Sequence, residues 1–355
     1  MSLKIKSNSH FETISVIQEA MLQWYSKNGR HNLPWKVNDI YKIWISEIML
    51  QQTQVKSVIP YYQKFIQKYP TLSDLAKAKK NDILKLWSGL GFYRRAENIF
   101  KTCEILKKKY NGKFPVNYDD LILLPGIGKT TASAILTFSG NGAYSILDAN
   151  VKRFLSRLFR IENTTKNNKY LWDYSTLLLP NDKASEFIQA YMDIGSMICT
   201  PKKPNCGICP VVKYCISHTK GFLDSKGINK LKIKENNIWV MVLVNSKNQF
   251  FLESINYSGL WRGLYSSPLF KNYAELSNWI KIHNIELNNE HSTWKFIHHL
   301  SHIKFSFNVI FYKVKSNKKI SLSPDNWYNL SNIEFGMPKY QNKIIDKYKS
   351  INDYN

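Results

Sequence analysis

The sequence predicts a multi-domain chain in which an all-α domain is followed by an α+β domain. Three observations carry this reading. At 355 residues with 44% hydrophobic side chains, the chain is longer than one core usually organises and apolar enough to fill two. From Phe11 to about Tyr214, apolar residues recur at three- and four-residue intervals, as in Trp44, Ile48, Val55, Ile59, Tyr62 and Ile66. Beyond a polar, Lys-rich stretch the period changes to that of strands.

Within the helical part, breaks fall at Leu33-Pro34-Trp35, Tyr69-Pro70, Gly89 to Gly91, Phe114-Pro115, Pro125 to Gly128, Gly140 to Gly142 and Pro180, which predicts several short helices. We expect the helical domain over 1–220, a linker over 221–236 and the second domain over 237–350. Ile238 to Val244 reads as a buried strand, Gln249 to Leu252 as its hairpin partner across a turn at Asn245 to Asn248, Ala274 to Ile282 as a helix, and Ile303 to Val309 as an alternating strand.

Lys and Arg number 50 against 26 Asp and Glu, a net charge of +24 that attracts polyanions and makes nucleic acid the default ligand. An AT-biased genome, which enriches the chain in Lys, Asn, Ile, Tyr and Phe, is expected to account for part of that charge. The longest apolar run, Ile238 to Val244, is short for a membrane span, and the opening MSLKIKSNSHF lacks a secretory apolar stretch, so a soluble cytoplasmic protein is expected. Four of the five Cys fall at Cys199, Cys206, Cys209 and Cys215, with Cys103 apart. Disulfides are not expected in such a chain. The x6, x2, x5 spacing suits one tetrathiolate site for zinc or an iron–sulfur cluster, and Lys202, Lys203 and Lys213 between the ligands can face a phosphate backbone.

Three further motifs carry chemistry. Leu124 to Ala132 is a glycine turn opening an apolar helix, as in a helix-hairpin-helix motif: Gly126 and Gly128 let backbone approach a phosphate, and the free amides of the helix end receive it. Asp148 precedes the helix of Val151, Leu155 and Leu158, where it reads either as an ordinary N-cap or as a carboxylate kept ionised by helix amides to stabilise a cationic sugar. Glu47 stands among apolar helix neighbours, Ile43 and Leu50 a turn away. A surface salt bridge lacks a Lys or Arg three or four residues off, whereas burial would raise its pKa and keep it an acid.

At these residues the chain resembles the adenine DNA glycosylase family of the endonuclease III-like superfamily over nearly its whole length. SEIMLQQTQV, GLGFYRRAENI, LPGIGKTTA, ILDANVKR, MDIGSMICT and the four-Cys loop occur in the family's order. The resemblance implies an all-α helix-hairpin-helix glycosylase domain with an iron–sulfur loop, plus an α+β Nudix-like C-terminal domain. It implies hydrolysis of adenine mispaired with 8-oxoguanine or guanine in double-stranded DNA, after the adenine is flipped out of the duplex by a monomeric enzyme.

By the same resemblance, Glu47 is the acid that protonates N7 of adenine, Asp148 stabilises the oxocarbenium-like sugar and Asn150 helps hold that site. Gln189 and Leu50 line the base pocket, with Trp35 and Arg30 or His31. Gln52 and Thr53 match contacts to the lesion strand. Leu90 and Phe92 belong to the segment beside the oxidised guanine, where Phe92 replaces the family's usual Tyr and keeps stacking without the hydroxyl. Cys199, Cys206, Cys209 and Cys215 hold a 4Fe-4S cluster. Thr130, a DNA-facing position of the hairpin, stands where endonuclease III-like lyases carry a nucleophilic Lys, so strand cleavage is expected to be absent or weak; Lys152, near Asp148, offers an incidental amine. The family's lesion-reading Phe-Ser-His aligns with Leu300, Ser301 and His302, preceded by Phe296 and His298. No carboxylate-rich helix between Gly259 and Ile282 supplies the magnesium site of a Nudix pyrophosphatase.

Overall fold

The computed structural model describes residues 8–221, 234–255, 260–287, 291–300, 303–314 and 320–352. Its helices run in the order α1 (Asn8–Asn28), α2 (Ile40–Leu50), α3 (Val55–Lys68), α4 (Leu72–Ala76), α5 (Lys80–Leu86), α6 (Arg94–Lys109), α7 (Tyr118–Ile122), α8 (Lys129–Phe138), α9 (Ala149–Leu158), α10 (Asn168–Leu177), α11 (Ala184–Asp193) and α12 (Ile216–Thr219). After α12 come β1 (Lys234–Val244), β2 (Phe250–Phe251), β3 (Glu253–Ser254), β4 (Tyr265–Ser266), β5 (Leu269–Phe270), α13 (Tyr273–Ile282), β6 (Ser292–His299), β7 (Ile303–Lys313), β8 (Trp327–Tyr328) and α14 (Lys339–Asn352). No helix among the described residues is long and apolar enough to cross a membrane. The chain divides into two units, Met1–Lys77 with Asn98–Gly227, and Ala78–Glu97 with Ile228–Asn355.

In the first unit, side-chain caps start several helices and fix where their apolar stripes begin. The Asp39 carboxylate accepts from the amides of Tyr41 (2.9 Å) and Lys42 (3.2 Å) to open α2, and the Asn117 amide oxygen accepts from Asp120 to open α7. α1 packs on α11 and α2 on α8. The core joins Met21 and Tyr25 of α1 to Leu155 and Leu158 of α9 and to Phe187 and Tyr191 of α11. The last turn after α11 widens into a π-helix over Ile194–Ile198, closed by the amide of Cys199 donating to Ile194 at 2.7 Å. Such turns rotate the following residues relative to an α-helix and are frequent at functional sites.

The second unit is a mixed sheet in the order β6-β7-β1-β2-β8, with β5 also on β1. β1 and β7 run parallel over their full lengths, and β6 lies antiparallel to β7. The predicted hairpin is present, with Val244 opposite Phe250, and the predicted helix is α13. β1 begins at Lys234, earlier than the apolar pattern announces, because Lys234 to Asn237 join the ladder to β7 by backbone pairing, with the Glu235 carboxylate accepting from Lys304 at 2.9 Å, and leave polar side chains largely exposed. Met241, Leu243, Phe251, Leu276 and Ile310 form the core. α5 belongs here: Ser88 donates to the carbonyl of Met337, and Lys85 to that of Ile333. Gly336 lets the two backbones meet, since a β-carbon there would stand 2.7 Å from the carbonyl oxygen of Leu84.

Candidate active site

One cavity of about 1110 Å³ opens in the first unit, and Glu47, Asp148, Asn150, Gln189, Arg30, Trp35, Leu50, Gln52, Thr53 and Thr130 all line it. These come from α2, from α8, from the start of α9, from α11 and from the Pro34 turn. Glu47 sits in the last turns of α2, half-buried, and among the described residues its carboxyl takes part in no salt bridge or side-chain hydrogen bond. Burial, then the negative charge of Asp148, pushes its carboxyl up to about 8, so it is mainly protonated at neutral pH.

Asp148 is the N-cap of α9 and accepts from the amide of Val151 at 2.7 Å. Burial outweighs the helix amides and moves the group upward from the usual carboxylate range. The amides of Val151 and Asn150 and the charge of Arg153 pull the other way. Arg153 is anchored in turn, donating to Asn150 Oδ1 (2.9 Å) and to the carbonyl of Cys199 (2.8 Å). Asn150 is pressed against Gly195 in the π turn, where a β-carbon would meet Asn150 Cβ at 2.9 Å. Two carboxyls thus face one cavity, Glu47 without a cationic partner and Asp148 held by helix amides and near Arg153.

Another part of the lining is built from charges that neutralise each other. Arg30 pairs with buried Asp193 through its side chain (2.5 Å) and donates its amide to the same carboxylate (2.8 Å). His31 turns away, with its ring nitrogen on the carbonyl of Tyr25. Trp35 is buried edge-on to Tyr62. Gln189 accepts from the Tyr25 hydroxyl at 2.8 Å, and Lys36 donates to that hydroxyl. Tyr25, Lys36, Asp193, Arg153 and Gly195 were not singled out by sequence, because their importance lies in contacts that folding makes, such as Tyr25 with Gln189 and Arg30 with Asp193.

At the cavity rim, Gln51 closes α2 and donates to the carbonyl of Gly126 (3.0 Å) and to Thr131 Oγ1 (3.2 Å), fixing the glycine hairpin to α2. Gln52 holds a left-handed backbone (φ 57°) and is exposed, with half-buried Thr53 beside it. Gly126 needs glycine for its φ of 82°, whereas Gly128 is extended with open space at its β-carbon position, so its use is to leave the first amides of α8 accessible. Leu90 and Phe92 belong to the other unit; Leu90 is buried, and Phe92 is 43% exposed with φ 50° under the Arg95 guanidinium. Ser301 and His302 lie outside the described residues, between Leu300 and Ile303, whose backbones are bonded at 2.8 Å.

The four cysteines line one further cavity of the first unit with Phe154, Leu158, Ile198 and Val211, while Cys103 is buried elsewhere. Arg157 closes it, donating to Cys199 Sγ (3.4 Å) and to the carbonyls of Thr200 (2.8 Å) and Pro201 (2.9 Å).

Comparison with known proteins fits this geometry. Residues 45–173 match the HhH-GPD superfamily of base excision DNA repair proteins, and residues 199–215 match the iron–sulfur binding domain of endonuclease III. The chain is 40% identical over 351 residues to the adenine DNA glycosylase of Buchnera aphidicola from Schizaphis graminum, covering 95% of this chain and all of that one. The chain belongs to the adenine DNA glycosylase family. Among solved structures, this glycosylase is similar to a thermostable thymine-DNA glycosylase (TM-score 0.56, 31% identity, 60% of this chain and 100% of the other). It shares its fold with endonuclease III in a non-covalent DNA complex (TM-score 0.52, 22% identity, 59% and 97%).

The glycosylase's cysteine loop suits the 4Fe-4S cluster its family carries. The four thiols line one cavity among apolar neighbours, a donor set that a cluster held at separate iron corners uses. Burial and the neighbouring sulfurs, against the Val211 amide, push the Cys209 thiol up to about 11. Four thiolates crowded there need a cationic centre between them, and the Arg157 N–H on Cys199 is the kind of hydrogen bond that tunes cluster sulfur.

Proposed function

We propose that this chain is a monofunctional glycosylase that binds double-stranded DNA, extrudes adenine mispaired with 8-oxoguanine or guanine, and hydrolyses its N-glycosidic bond. The observation that carries it is the Glu47–Asp148 pair on one cavity, with burial and the Asp148 charge pushing the Glu47 carboxyl up to about 8. Glu47 gives its proton to N7 of the flipped adenine; the C1′–N9 bond breaks with its electron pair leaving on the base. Asp148 offsets the positive charge that develops on the sugar, Asn150 and Arg153 hold it in place, and water adds to C1′ with loss of a proton. Gln189, Leu50 and Trp35 enclose the base, while Arg30 acts mainly by fixing Asp193.

The glycine hairpin, with uncapped α8, takes a phosphate, and Gln52, Thr53, Leu90 and Phe92 meet the strands. Thr130 at the cavity supports the monofunctional reading, because no amine stands at that position to form a Schiff base with the sugar. Lys152, half-buried on α9, is not among the residues lining the cavity. The mixed sheet of the second unit supports a Nudix-like domain that reads the oxidised base through Ser301 and His302. The test is a duplex carrying adenine opposite 8-oxoguanine. Adenine should be released with strand scission appearing only after alkali; nicking equal to base release, with a borohydride-trappable adduct, would overturn the monofunctional assignment.

A further inference from the structure

The wall of the base cavity contains a hydrogen-bond chain whose direction is forced by chemistry. Lys36, half-buried one residue after Trp35, donates from its ammonium to the Tyr25 hydroxyl and lies 4.9 Å above the Tyr25 ring centroid. An ammonium has three donors and no acceptor, so the Tyr25 oxygen must accept there and send its own proton elsewhere. That proton goes to Gln189 Oε1 at 2.8 Å. A primary amide whose oxygen is held this way turns its NH2 toward the remaining space, and Gln189 lines the cavity. Its Nε2 is only weakly held by the protein, by Ser185 Oγ at 3.5 Å.

The surroundings keep the chain in this sense. Burial and the charges of Asp193 and Glu186 push the Tyr25 hydroxyl up to about 12, so it remains a donor. Burial, aided by Arg30, lowers the Lys36 ammonium from its usual value, while the charges of Asp193 and Glu186 oppose that loss.

We infer that Lys36 and Tyr25 are positioning residues that lock the Gln189 amide with its N–H groups facing the base, so that the cavity selects a purine presenting a ring-nitrogen acceptor rather than an N–H. This rests on the proposed function. With Glu47 at N7, the Gln189 N–H is left for N1, which is an acceptor in adenine and carries hydrogen in hypoxanthine. Were the amide free to rotate, its oxygen could accept that N1 hydrogen and the preference would relax.

The test compares single-turnover release of adenine and of hypoxanthine, each opposite 8-oxoguanine, in the full-length protein. Wild type should favour adenine. Lys36→Met and Tyr25→Phe should each lower the adenine-to-hypoxanthine ratio by about three- to tenfold, the worth of one hydrogen bond, while Lys36→Arg, a donor with no acceptor, should restore it. The ratio is insensitive to how much enzyme folds, so a purely structural role would leave it unmoved. Unchanged ratios in both Lys36→Met and Tyr25→Phe, or Lys36→Arg behaving like Lys36→Met, would overturn the inference. Failure of wild type to release adenine would instead reject the function on which it rests.

Discussion

Glu47 stores a proton that its surroundings will not readily surrender, and this has consequences for stability as well as for chemistry. Its folded pKa, raised from 4.5 to about 8, means the native state retains a proton that the unfolded chain releases between those values. The contribution is therefore full below 4.5 and is lost as pH rises through 8. Glu47→Gln, which cannot ionise, should melt at a higher temperature than wild type at pH 8 to 9, with the difference shrinking toward pH 5; thermal melts across that range check the sign. Asp148→Asn separates the two readings of Asp148, because Asn caps a helix nearly as well as Asp but carries no charge. Helical content should be kept and excision lost by a hundredfold or more, on the order expected of a single electrostatic stabiliser. Excision kept along with the helix would identify the cap as its main task.

At the scale of elements, α9 ties the carboxylate end of the cavity to the cysteine loop. Arg153 spans from Asn150 to the carbonyl of Cys199, and the π turn brings Gly195 into contact with Asn150. Gly195→Ala would force its new β-carbon into Asn150 at 2.9 Å, so α9 or the turn must shift by several tenths of an ångström. Displacements of that size at a reacting centre are costly: excision should fall by about tenfold or more while bound iron per chain stays constant. Equal loss of iron would show the damage to lie in the loop instead. Glu47, Asp148 and the four cysteines were legible in sequence because each is announced locally, by apolar helix neighbours, by a cap position or by spacing. The Gly195 contact and the Lys36–Tyr25–Gln189 chain were not, since folding alone brings residues from α1, the Pro34 turn and α11 together. The upward shift of Asp148 was missed because sequence shows the cap amides and not the burial that outweighs them.

For the whole molecule, the fold class was readable from the change of period after the Lys-rich stretch, and the hairpin of β1 and β2 from its turn. What the pattern could not show is that residues 78–97 pack with the sheet, through Leu84, Lys85 and Ser88 against residues 333 to 337. Removing everything after Lys220 would therefore uncover α5, and discrimination between lesions is better tested in the full chain. Ser301→Ala should lower the ratio of single-turnover rates for adenine opposite 8-oxoguanine and opposite guanine by the equivalent of about 1–3 kcal/mol, because oxidation turns N7 of guanine from acceptor to donor. An unchanged ratio would assign lesion reading elsewhere. The central claim is that a neutral Glu47 transfers its proton to the departing adenine, and the pH profile of single-turnover adenine release tests it most directly. The rate in wild type should fall as pH rises through about 8, tracking the protonated acid, and Glu47→Gln should bind duplex yet release adenine a hundredfold to ten-thousandfold more slowly, the usual contribution of a general acid. A variant that keeps wild-type rates, or a wild-type rate that climbs through pH 8, would contradict it.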